Sequence, residues 1–230
     1  SEGRVLRFCC IVFLALFASV AWGSGGGQMG IVGYQLDVSR SKVPKMETLY
    51  RMIDILARLG YNQFQLYTEH TFAYSKHETV WRGASPITPS EARQIDDYCA
   101  DRGIEFVPNQ NSFGHLENWL RHPEYNDLAE APQGGTTCQL PDRFYELVQP
   151  MCLCPTDPRS IDLIAGLYDE LFPCFRSKFV NVGCDETMEL LDEHEPRMGR
   201  SVKEIAAKGP VRVYLDYMLK IHALCTERGH

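Results

Sequence analysis

"LARLGYNQFQLYTEH", residues 56–70, carries the end of one helix and the whole of the strand that follows it. Leu49, Met52, Ile53 and Leu56 recur at i, i+3 and i+4, the spacing of one apolar helical face. Pro44 suits the first turn of that helix and Gly60 closes it. "NQFQLYTEH" then reads as a strand without an intervening loop. The same ending recurs: Arg58-Leu59-Gly60, Asp101-Arg102-Gly103 and Glu227-Arg228-Gly229. After the second of these, "IEFVP" begins a further strand at residue 104.

Working outward gives four βα units. "IVGYQLDVSR" (31–40) is the first strand, and "TPSEARQIDDYCADRG" is the second helix, with Thr88 as N-cap, Pro89 behind it and Glu91 completing a capping box. "DPRSIDLIAGLYDELF" is the third helix, capped by Thr156 or Asp157. "KFVNVG" (178–183) reads as the fourth strand and "PVRVYLDYMLKIHALCTERG" as the fourth helix. Repeated βα units imply a parallel sheet, either doubly wound or part of a (β/α)8 TIM barrel. Four units amount to half of such a barrel, and Gly229-His230 falls where a fifth strand is expected.

The chain has 230 residues, 44% of them apolar and 23% charged, which suits a globular domain with a sizeable core. A net charge of -7 argues against nucleic acid as a partner. Arg4 and Arg7, the apolar run from Phe8 to Val20, and small residues before Gly23 have the pattern of a secretory signal. The expected organisation is a signal peptide over 1–23, a Gly-rich linker over 24–30 and a partial barrel over 31–230. The protein is then exported, periplasmic or extracellular, with no stable membrane insertion once the signal is cleaved. Seven cysteines lie beyond that segment: Cys99, Cys138, Cys152, Cys154, Cys174, Cys184 and Cys225. Their odd number and scatter favour buried thiols, and leave a bond involving Cys138, Cys152 or Cys154 open in an oxidising compartment.

Parallel βα folds bind ligands beyond the C-terminal ends of their strands. Those ends are polar here: Asp37, Ser39 and Arg40 after the first strand; Glu69 and His70 after the second; Asn109, Gln110, Asn111 and His115 after the third; Asp185 and Glu186 after the fourth. The connection over 109–155 is far longer than usual, and long loops are commonly functional. Two adjacent carboxylates at a buried strand tip divide in role. One is pushed toward proton donation, and the other stays ionised and holds a donor or a positive charge. Glycoside hydrolysis uses such carboxylates. The plainer readings are a solvated loop for Asp185-Glu186 and a structural ion pair between Arg40 and Asp37. Trp119 reads as an anchor under the long loop, and His77, His122, His194 and His222 as surface.

"LDVSR" (36–40) and "NVGCDE" (181–186) resemble glycoside hydrolase family 20, the β-N-acetylhexosaminidases, and "LYTEHTFAY" and "PNQNSFGHLENWL" look like a bacterial branch of it. Asn181 and Cys184 stand where that family often has His and Gly. The resemblance implies the barrel rather than the doubly wound sheet. It implies retaining, substrate-assisted hydrolysis of a glycan's terminal N-acetylhexosamine, without cofactor or metal. Glu186 matches the general acid/base, and Asp185 the residue that orients the 2-acetamido group. Arg40 matches the arginine that grips sugar hydroxyls, and His115 the histidine that supports the acid. Glu69 matches an acidic residue after the second strand, while Asp37 and Asn109 complete the substrate-binding set at the strand tips. Two other readings remain open: a metal-dependent barrel hydrolase or isomerase using Glu69, His70, His115 and Asp185, and a non-catalytic carbohydrate-binding relative or inactive fragment.

Overall fold

A computed structural model describes residues 30–40, 42–134, 136–139, 144–147, 149–190 and 199–230; over 136–139 and 144–147 it describes the backbone alone. The expected signal segment and almost all of the linker lie outside these residues, as do the side chain of Cys138 and all of His194. Among the described residues no helix is long and apolar enough to cross a membrane.

In chain order the elements are β1 (Gly33–Asp37), α1 (Met46–Arg58), β2 (Gln63–Tyr67), α2 (Glu78–Trp81), α3 (Pro89–Ala100), β3 (Glu105–Val107), α4 (Glu117–Leu120), α5 (Pro123–Asn126), β4 (Thr136–Gln139), β5 (Phe144–Leu147), α6 (Pro158–Leu171), α7 (Val202–Lys208) and α8 (Pro210–Glu227). Short 3-10 turns follow at Phe172–Cys174 and Met188–Leu190. β1, β2 and β3 form a parallel sheet in that order, pairing Gly33 with Gln63 and Gln63 with Glu105. Gly60 and Gly103 both take the left-handed φ that lets a helix end feed a strand, at 80° and 68°. The capping box at Thr88 and Glu91 is present. Helix α1 starts two residues beyond its proline, at Met46: Lys45 is the N-cap, and Pro44 lies outside the first turn.

The expected fourth strand is the main correction. Residues 178–183 form no strand; only Asn181 pairs, through a parallel bridge to Asn109. Asn181 N donates to Pro108 O at 2.9 Å and Gln110 N donates to Asn181 O at 3.3 Å. Extending that ladder toward Phe179 needs an N–H at position 108, which proline lacks. The fourth segment is thus pinned at one point where the first three strands pair along their lengths.

One sheet face is apolar. Phe64, Leu66 and Phe106 join Leu49, Ile53 and Leu56 of α1, Ile95 and Cys99 of α3, and Ile164 and Leu167 of α6 in one core. The other face is an amide ladder. Gln35 donates to Gln65 at 3.3 Å, Asn181 to the same Gln65 oxygen at 3.0 Å, and Gln65 to Gln63 at 3.1 Å. The glutamines at alternate positions of β1 and β2 produce this face, because strand side chains alternate sides.

The long connection holds α4, α5 and the antiparallel hairpin β4–β5, none of which the sequence pattern announced. Trp119 is buried, and its indole N–H donates to Glu69 O at 2.7 Å, so it does anchor the loop. His77 is not a surface residue: it is half-buried, with Nδ1 2.7 Å from Tyr125 Oη and its ring packed on Trp119. Cys99, Cys152, Cys154, Cys174, Cys184 and Cys225 are buried free thiols.

Asp157 ties these parts together. It caps α6 through Arg159 N at 2.9 Å and pairs with Arg159 at 2.7 Å and with Arg200, beyond the fourth segment, at 2.6 Å. The Arg159 hydrogen bond, helped by Arg200 and opposed by burial, holds its carboxyl below the usual carboxylate range. Its stabilisation is therefore present above the unfolded value of about 3.9 and is lost as pH falls below it. Asp157→Ala should lower unfolding free energy by at least about 1 kcal/mol at neutral pH. In denaturant titrations, the gap between wild type and variant should close in acid.

Candidate active site

The site is assembled at the C-terminal ends of β1, β2 and β3 and at the turn after Gly183. Glu69 lies at its centre, buried with a side chain only 5% exposed. An isolated carboxylate is costly there, and this one is not isolated. The Arg40 guanidinium forms a direct ion pair with Glu69 Oε1 and sits 3.8 Å from Asp37. Tyr67 donates its hydroxyl to the same Glu69 oxygen at 3.0 Å and accepts from Asn111 at 2.6 Å. Tyr67 also lies under Arg40, with the guanidinium carbon 5.2 Å from the ring centroid. Burial pushes the Glu69 carboxyl up, against the downward pull of Arg40. Burial alone would lower Arg40, but Glu69 beside it carries its pKa above the ordinary value. Arg40 is charged at any working pH.

His115 joins this group to the paired acids. Its Nδ1 is 3.9 Å from Glu69, its Nε2 is 3.1 Å from Glu186 and 3.7 Å from Asp185, and the ring is nearly buried. Asp185 and Glu186 are themselves exposed, so they face an open rim rather than a closed interior. His115 and Glu186 both adopt left-handed backbone, with φ of 56° and 50°. Such a conformation is unfavourable for residues with a Cβ and persists where surrounding contacts impose it.

Two glycines permit the approach. A Cβ on Gly114 would sit 2.4 Å from Asp185 O. Gly183 has φ of 49°, and a Cβ there would stand 2.0 Å from Asn111 Oδ1. Ser112 N donates to Gly183 O at 3.1 Å, so the third and fourth tips are joined backbone to backbone.

Of the expected catalytic and substrate-binding residues, all but Asn109 lie in this row: Asp37, Arg40, Glu69, His115, Asp185 and Glu186. The solvated-loop and ion-pair readings are both physically present, since Asp185 is exposed and Arg40 does touch Asp37, yet these residues still converge. Asn109 is buried and uses its amide on backbone, accepting from Thr68 N at 2.6 Å and donating to Asn181 O at 3.0 Å. It holds strand tips together. His70 lines a depression of about 240 Å³ beside Arg40, with Ser39, Lys42 and Ser85. Among the described residues no group of three or more His, Cys, Asp or Glu is arranged to hold a metal ion. The four residues of the metal reading do not form such a group.

Tyr67 is absent from the strand-tip residues that the sequence pattern singles out. It is the last residue of β2, two positions before Glu69, and that nearness was the available signal. Glu189 was missed altogether. Its carboxylate is buried and accepts from Met151 N at 2.8 Å and Cys152 N at 2.7 Å, while burial pushes its pKa up to about 7.

The family model described as glycosyl hydrolase family 20, catalytic domain, matches residues 32–230. The chain belongs to glycoside hydrolase family 20. It is similar to hexosaminidase D of Bos taurus, 26% identical over 148 residues, covering 64% of this chain and 38% of the relative. It is also similar to a beta-hexosaminidase of Akkermansia muciniphila, 24% identical, covering 86% of this chain and 42% of the relative. The fold is shared with a Flavobacterium johnsoniae chitobiase (TM-score 0.69, 21% identity, 86% of this chain and 30% of that one). It is shared as well with a Bacteroides fragilis beta-N-acetylhexosaminidase (TM-score 0.67, 19% identity, 86% and 40%). The chain thus spans less than half the length of these relatives.

Gly183→Ala should lower stability by about 1–3 kcal/mol, the range for forcing atoms into a packed site. Asn111→Ala in the same chain should recover the steric part and leave the φ strain. A double-mutant cycle in urea measures both; additive effects would show that Asn111 and Gly183 do not collide.

Proposed function

We propose that the protein is a β-N-acetylhexosaminidase that releases terminal GlcNAc or GalNAc from glycans with retention of configuration. The observation that carries this reading is the continuous row from Arg40 through Glu69 and His115 to Asp185 and Glu186, in a chain of this family.

Arg40, charged and half-exposed, offers fixed donors to sugar hydroxyls, with Asp37 beside it as an acceptor. At the other end Glu186 gives its proton to the glycosidic oxygen as the bond to the leaving group breaks. The substrate's acetamido oxygen attacks the anomeric carbon and forms an oxazolinium ion. Asp185 accepts the acetamido N–H, aims the oxygen and offsets the developing charge. Glu186, now ionised, takes a proton from water as that water opens the oxazolinium. No second protein carboxylate attacks, the substrate-assisted exception among glycosidases. His115, 3.1 Å from Glu186, orients the acid, and Glu69 orients His115. Asn109 supports the rim through its neighbours' backbone. Completion of an eight-stranded barrel and export of the protein belong to the same reading, the latter resting on the pattern of residues 4–23.

Glu186→Gln in the intact protein should lower kcat by about 10²–10⁴-fold, the span of general acid–base catalysis, with KM little changed. A thiazoline that mimics the oxazoline should inhibit competitively, and EDTA should leave turnover intact. Absence of thiazoline inhibition would remove neighbouring-group participation.

A further inference from the structure

Glu189 lies three residues beyond Glu186, on the 3-10 turn Met188–Leu190, and is 7% exposed. A buried carboxylate costs several kcal/mol unless its charge is met. What meets it is a pair of backbone N–H groups, one on each oxygen: Met151 N to Oε1 and Cys152 N to Oε2. The same short stretch is bonded on its other side to the loop that carries His115. Leu116 N donates to Met151 O at 3.0 Å, and Leu153 N donates to Phe113 O at 3.0 Å. Within the turn, Met188 N donates to Glu186 O at 2.8 Å. Residues 151–153 are therefore bonded on one side to Phe113 and Leu116, which flank His115, and on the other to Glu189, three residues beyond Glu186. His115 and Glu186 each hold a left-handed backbone, which needs outside restraint.

We propose that Glu189 is a positioning residue: its two-pronged grip on the Met151 and Cys152 amides fixes the turn bearing Glu186 against the loop bearing His115. Only a carboxylate suits the place. Glutamine offers one acceptor and turns an NH₂ toward the second N–H; aspartate is one methylene too short. Burying an acid here costs stability that an apolar residue would not, and the return is a fixed distance between two other side chains. The sequence places a third acid close behind Asp185-Glu186 for that purpose. The inference deepens the proposed function, because it assigns a positioning role to a residue serving the Glu186 acid.

The test compares wild type, Glu189→Gln and Glu189→Asp in the intact protein, on two β-N-acetylglucosaminides. One has a dinitrophenolate leaving group that departs without a proton, and the other a methoxide that needs one. A slackened acid should lower kcat on the methyl glycoside by about 100-fold, the cost of a misplacement near 1 Å. KM should stay near its original value, and kcat on the dinitrophenyl glycoside should change little. Equal loss on both substrates would overturn the proposal, since a smaller folded fraction lowers both alike. A second reading does not use turnover. The imidazole NMR signals of His115 in Glu189→Gln should move toward those of Glu186→Gln, and the Met151 and Cys152 amide signals should shift. Unchanged His115 signals would overturn the grip even in an active enzyme. Absence of hydrolysis by wild type would instead overturn the proposed function, and the NMR comparison would still decide the role of Glu189.

Discussion

The bridge between Asn109 and Asn181 is the constraint on which the site depends. Three strands are held by continuous ladders, but the segment leading to Asp185 and Glu186 forms a strand-type bridge to the sheet at one residue. Pro108 prevents the ladder from running backward. Side chains supply the missing register: Asn109 donates to Asn181 O, Asn181 donates to Gln65, and the Asn181 oxygen accepts from Gly183 N at 3.1 Å. The Asn181 side-chain amide serves two neighbours at once, donating to Gln65 and accepting from Gly183 N. From that anchor the chain turns at Gly183 and delivers both acids to the rim.

Charge is then arranged in alternation along the rim. Arg40 lies between Asp37 and Glu69, and His115 between Glu69 and the Asp185-Glu186 pair. Each acid has a basic group beside it, and the one nearly dry acid, Glu69, has the strongest partners. This pattern separates roles by solvent exposure. Glu69 is buried and committed to neighbours, whereas Asp185 and Glu186 face outward and remain free to meet a ligand.

Much of the fold was legible because its signals are local. Gly60 and Gly103 ended helices and started strands, Thr88 and Glu91 announced a capping box, and α1, α3, α6 and α8 followed from spacing. The fourth strand failed because alternation in "KFVNVG" says nothing about the proline on its neighbour, seventy residues away. The β4–β5 hairpin and the short α2, α4, α5 and α7 lacked a clear periodic pattern. Residues at strand tips could be named without coordinates, since parallel strands share a direction. What each does there could not: Asn109 proved to be engaged with backbone, and Tyr67 proved central. Glu189 had no local signal at all, because its partners Met151 and Cys152 are nearly forty residues upstream.

The most direct test of the convergence is a crystal structure of the intact protein soaked with the thiazoline derived from N-acetylglucosamine. One bound molecule should touch the Arg40 guanidinium with its hydroxyls, Asp185 with its thiazoline nitrogen and Glu186 near its anomeric carbon. Density elsewhere, or a ligand that reaches Arg40 without reaching either acid, would contradict a shared site.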